Sequence, residues 1–223
     1  MALETHRRAL RTGLPWLVVA LILLAPSIVL PACVEPFVSE SRLAPLLARA
    51  TQVLGTCGSA VMLFALLQFA RARIEGHTSL HLLAAFGAWI LELALRLYSL
   101  SSEPSASDVV LVLRVTAVAL AMCALSGGML ALLRRSQGFA ELGPWHLSRA
   151  LFATFLVGLT VAFGAARWSS DGLDLWAWIA SWPAGSSLAW IAFAAPWVAL
   201  VHAVRRSVRW VARRQSVAEI LTS

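Results

Sequence analysis

Apolar residues run along this chain in long blocks, and short polar segments carrying Gly, Pro and most of the charge separate them. Six blocks stand out, at about 14–31, 45–70, 80–100, 108–133, 149–166 and 186–204. An α-helix needs about 20 apolar residues to cross a hydrocarbon core of roughly 30 Å. Blocks of this length exceed what a strand of a globular domain uses. The pattern predicts an all-α fold, a polytopic membrane bundle of six transmembrane helices in one domain spanning residues 1–223.

The segments between blocks read as turns. Glu35, Pro36, Glu40 and Arg42 follow the first, Glu103 and Pro104 the third, and Gly138, Gly143 and Pro144 the fourth. Between the fifth and sixth lies 173–182, LDLWAWIASW. Trp prefers the headgroup zone, where its ring is half wet, so Trp176, Trp178 and Trp182 predict a short Trp-rich interfacial helix ended by Pro183 and Gly185. Residues 205–223 form a basic tail that extends the last helix beside anionic lipid.

Composition strengthens this picture. Of 223 residues 60% are hydrophobic and only 13% charged, where soluble domains have about 25% charged. The net charge of +7 would suggest nucleic acid in a soluble protein. Here the cations flank apolar blocks, so membrane orientation accounts for them and no nucleic-acid partner is expected. Every cation is Arg, which excludes a lysine nucleophile or a retinal Schiff base. Cys33, Cys57 and Cys123 are an odd, widely spaced set that outlines neither a disulfide framework nor a zinc site.

Arginine also sets the topology. With the N-terminus inside, thirteen arginines lie on the inner side: Arg7, Arg8, Arg11, Arg71, Arg73, Arg134, Arg135, Arg149, Arg205, Arg206, Arg209, Arg213 and Arg214. Five fall outside or in the outer half of a span: Arg42, Arg49, Arg96, Arg114 and Arg167. The bias alternates at every loop, which predicts both termini inside a bacterial inner (cytoplasmic) membrane.

Candidate chemistry lies in the polar residues at membrane depth. Arg49, Gln52, Thr56 and Ser59 recur at helical spacing in the second block, and Glu92 and Arg96 are four apart in the third. Arg114 sits about two turns into the fourth. Charges at such depth face the bundle interior or a wet cavity. Arg49, Gln52, Glu92, Arg96 and Arg114 are therefore the candidate ligand-binding residues. Their surplus of positive charge suits a carboxylate, a phosphate or a lipid headgroup. The competing structural reading is a Glu92–Arg96 pair with Arg49 and Arg114 reaching to the surface.

Two further groups bear on catalysis. His77 and His81 are four apart, with His146 and His202 near the same side, a spacing that two metal ligands on one helix would use. Ordinary interfacial histidine accounts for them better, and no metal or cofactor is assigned. The run Ala124-Leu125-Ser126-Gly127-Gly128 resembles the G-x-S-G motif of rhomboid intramembrane proteases, with Ala124 in place of the first Gly. The resemblance implies a Ser126–His202 dyad, although the outer-loop Trp-Arg motif of that family is absent.

Three function classes remain at this level. The first binds or transports a small anionic or amphiphilic ligand from the outer side. The second is an accessory subunit packed against a membrane partner or a second copy. The third is a membrane enzyme or redox protein using the histidines, and it is the least supported.

Overall fold

The computed structural model describes residues 2–38, 44–70, 77–101, 108–136, 139–169 and 185–222, with side chains over most of these ranges. Among the described residues all elements are helical: α1 (Ala2–Val38), α2 (Ala44–Ala70), α3 (His77–Ser101), α4 (Asp108–Arg135), α5 (Leu142–Ser169) and α6 (Gly185–Thr222), with a 3-10 turn at Phe139–Glu141 before α5. Among the described residues five stretches, in α1 to α5, are long and apolar enough to cross a membrane. The block at 186–204 forms the first half of α6 as expected of a helix, but it is not among those five. The Trp-rich segment 173–182 lies outside the described residues.

Cross-helix contacts fix an up-and-down bundle. Gly13 meets Phe69 while Gly58 meets Leu24, so α1 and α2 are antiparallel. Ser59 pairs with Glu92 on α3, and Gly127 and Gly128 on α4 receive His81 and Leu82 of α3. Ser126 pairs with Ser148 on α5, and Trp145 with Ser207 on α6. Alternating direction over six helices brings both chain ends to the same end of the bundle. Helix α6 returns to pack on α1, and α1 also touches α4, which closes the bundle around its core.

The core follows from helical periodicity. Leu10, Leu14, Leu17, Ala20 and Leu24 bury one stripe of α1; Met62, Ala65, Leu66 and Phe69 bury the matching stripe of α2. Glycine sets the closest approaches. A Cβ on Gly58 would stand 2.8 Å from Leu24 Cγ and 3.0 Å from Leu24 N, so only hydrogen lets the two backbones meet there.

Helix ends depart from the block boundaries in one direction. Helix α1 begins at Ala2 rather than near residue 14, and α5 at Leu142 rather than Arg149. The expected loop at Gly143 and Pro144 is instead the first turn of α5, where Pro sacrifices no intrahelical hydrogen bond. The tail beyond residue 204 stays helical because Val204, Ser207, Val208 and Val211 continue the buried stripe.

The arginine-rich end is stitched by polar contacts. Buried Trp145 donates from Nε1 to Ser207 Oγ at 2.9 Å. Arg206 Nε lies 2.8 Å from Glu141 Oε2 and ties α6 to the turn before α5.

Candidate functional site

The buried face of α3 changes character along its length. Leu82, Ala85 and Trp89 are apolar and buried; Glu92, Arg96 and Ser99 continue the same three- and four-residue spacing with polar groups. Glu92 is 1% exposed, and neighbouring helices supply its partners.

From α2, Ser59 Oγ donates to Glu92 Oε2 at 2.8 Å. The carbonyl of the same Ser59 accepts from Trp89 Nε1 at 3.0 Å. One residue of α2 thus holds two successive turns of α3, and every group in the exchange is buried. On the other carboxylate oxygen, Arg96 Nε donates to Glu92 Oε1 at 2.8 Å. The Arg96 guanidinium occupies the notch over Gly55, beside Ser27 of α1, where a Cβ at position 55 would collide with it.

Arg114 approaches from α4. Its Nη2 lies 3.7 Å from Glu92 Oε1, and its Nη1 donates to Ser99 Oγ at 3.5 Å. Both contacts are long beside the 2.8 Å bond of Arg96. Arg114 Nε is buried and has no hydrogen-bond partner among the described residues. Side-chain exposure rises from 1% at Glu92 to 11% at Arg96 and 23% at Arg114. Two guanidinium groups thus share one carboxylate, which leaves one positive charge uncompensated within this set.

The structure therefore brings together Glu92, Arg96 and Arg114 of the five candidates. Arg49 and Gln52 are exposed and do not reach the cluster. Gln52 and Ser59 do lie on one face of α2, but Gln52 is about two turns nearer the start of the helix. Among the described side chains in the first three turns of α2, the buried positions are Thr51 and Gly55. Trp89 and Ser99 join the site without having been singled out in the sequence. Their signal was their spacing from Glu92 and Arg96, three residues on either side. The role of Gly55 as the seat of a guanidinium carried no signal at all.

The other candidates form separate local contacts. His81 packs over Gly127, where its ring carbons and Nδ1 would lie 3.3–3.5 Å from a Cβ. His146 Nε2 meets Arg134 Nη2 at 3.3 Å, and His202 is exposed. Among the described residues no group of three or more His, Cys, Asp or Glu could hold a metal ion. Ser126 is buried with Ser148 as its hydrogen-bond partner at 3.4 Å, so no Ser126–His202 dyad forms.

No family model, no curated protein and no solved structure matches this chain. The five membrane-length helices make it a multi-pass helical membrane bundle on the strength of its own residues.

Proposed function

We propose that the chain is a non-enzymatic membrane protein that binds or transports a small anionic or amphiphilic ligand at the cluster between α2, α3 and α4. One observation carries the reading: Arg96 and Arg114 share the single buried carboxylate of Glu92, and Arg114 keeps a buried donor without a partner. A charge at this depth is costly until something of opposite sign meets it. A carboxylate or a phosphate would supply that charge, and the planar guanidinium fork fits either. Arg114 is the most exposed of the three and the first a ligand meets. Arg49 and Gln52 line the approach on the uncovered part of α2.

The test is thermal stability of the full chain in detergent, titrated with inorganic phosphate, short-chain carboxylates and a lysophospholipid. Selective binding to the folded state raises stability by about 2.7 kcal/mol at a hundredfold excess over Kd. The expected result is a shift with at least one of these anions that disappears in Arg114→Gln. No shift with any of them, or a shift that Arg114→Gln leaves intact, overturns the reading.

A second reading, packing against a membrane partner or a second copy, draws on α5. Only 11% of its membrane-length window is buried, and Gly158 and Gly164 have nothing within 4 Å of a Cβ position. Small residues on an open helix face permit close lateral contact. A crosslink between chains carrying Gly158→Cys is the observation that would favour it.

A further inference from the structure

We propose that the groove between α1 and α6, at the arginine-rich end, is a binding site for an anionic phospholipid. This site is separate from the Glu92 cluster and does not rest on the reading given for it.

The groove has two continuous parts. Leu14, Pro15 and Val18 of α1 face Val208, Val211 and Ala212 of α6 across an apolar slot of about 350 Å³. Toward the chain ends, past Arg11 and Val211, the lining becomes Arg7, Arg11, Trp210 and Arg214. Apolar walls that end in a cluster of arginines match an acyl chain that ends in a phosphate. No carboxylate lines either part among the described residues.

The arginine end is built rather than incidental. The Arg214 guanidinium lies 5.0 Å from the centroid of the Trp210 ring, so the indole face supports it and leaves its N–H edges free to donate. Arg7 Nε is buried with no hydrogen-bond partner among the described residues. Arg11 is exposed at the junction of the two parts, where a phosphate would sit. The apolar part belongs to a membrane-length stretch of α1, 5–27, so its occupant comes from the bilayer. Charge complementarity selects an anionic headgroup among bilayer lipids.

The experiment is native mass spectrometry of the full chain in detergent. Phosphatidylglycerol and phosphatidylcholine with the same acyl chains are added in turn, with inorganic phosphate as a third arm. Two interfacial arginine contacts correspond to a preference of about thirtyfold for the anionic lipid. The expected result is such a preference, lost in Arg11→Gln/Arg214→Gln and kept in Arg114→Gln. Filling the slot with Ala212→Phe is expected to weaken phosphatidylglycerol binding while both arginines remain. Arg11, Ala212 and Arg214 are exposed and Arg114 is partly exposed, and thermal unfolding of each variant in detergent checks that it is folded before its lipid binding is read. Equal adducts of the two lipids, retention in the double variant, or loss in Arg114→Gln alone overturns the proposal. Competition by inorganic phosphate as strong as by the lipid also overturns it, because the slot would then contribute nothing.

Discussion

Ser59 and Glu92 meet in the buried interior between α2 and α3, with the serine hydroxyl donating to the carboxylate at 2.8 Å. The Ser59 carbonyl accepts from Trp89 on the preceding turn of α3, so a single residue sets both the register and the closeness of the two helices. A carboxylate this deep is tolerable only because every oxygen has a donor and two arginines neutralise it.

Removing that carboxylate is therefore expected to be the most costly single polar change in the bundle. Glu92→Gln keeps the shape and leaves Arg96 and Arg114 facing each other without a counter-charge. Breaking a buried pair by removing one partner costs about 3–5 kcal/mol. Ser59→Ala removes one hydrogen bond to a charged group and is expected to cost about 1.5–3 kcal/mol. Thermal unfolding in detergent checks the order; a smaller loss in Glu92→Gln than in Ser59→Ala would contradict it.

The two arginines are not equivalent. Arg96 is bonded to Glu92 at 2.8 Å, whereas Arg114 stands off at 3.7 Å. Arg114→Gln leaves a neutral Glu92–Arg96 pair, and Arg96→Gln leaves a loose Glu92–Arg114 pair with the notch at Gly55 empty. The expected outcome is a loss of about 2 kcal/mol or more for Arg96→Gln and less than about 1 kcal/mol for Arg114→Gln. A double-mutant cycle with Glu92 should give the larger coupling to Arg96.

Glycines divide into those that are filled and those that are open. At Gly58 an added methyl meets Leu24 at 2.8 Å, including backbone at 3.0 Å, so neither helix can yield without moving the other. Gly58→Ala is expected to destabilise by about 1–3 kcal/mol. At Gly158 nothing lies within 4 Å, so Gly158→Ala is expected to be neutral or to stabilise by about 0.5–1 kcal/mol through the backbone. Equal effects at the two positions would mean that α1 and α2 do not pack as described.

Much of this architecture is legible in the sequence because lipid imposes a single strong rule. Backbone groups in hydrocarbon must be satisfied within the helix, so a long apolar block has few other readings. The depth of Glu92, Arg96 and Arg114 was legible for the same reason, since a charge inside such a block has to turn inward. The separation of Arg49 and Gln52 from the buried cluster has a physical cause. Helical spacing shows which residues share a face, but not how far along the helix its neighbours continue to cover that face. Gln52 shares the face of Ser59 and is still exposed. Helix starts were not legible in the same way, because hydropathy marks where the apolar block begins, whereas α1 and α5 begin earlier, in polar turns.

The serine at 126 provides a final check on function class. A rhomboid-like dyad requires its hydroxyl to face His202. Ser126 is instead buried against Ser148, with an Oγ to Oγ distance of 3.4 Å, and His202 lies exposed on α6. The pair links α4 to α5 next to Gly127, where His81 of α3 packs. Ser126→Ala is then expected to act as a packing change, costing about 1 kcal/mol for one neutral hydrogen bond, and Ser148→Ala should cost a similar amount. A fluorophosphonate probe should leave the full chain unlabelled in detergent. Labelling that is lost in both Ser126→Ala and His202→Ala would instead establish a nucleophile, which the packed arrangement of α4 and α5 does not allow.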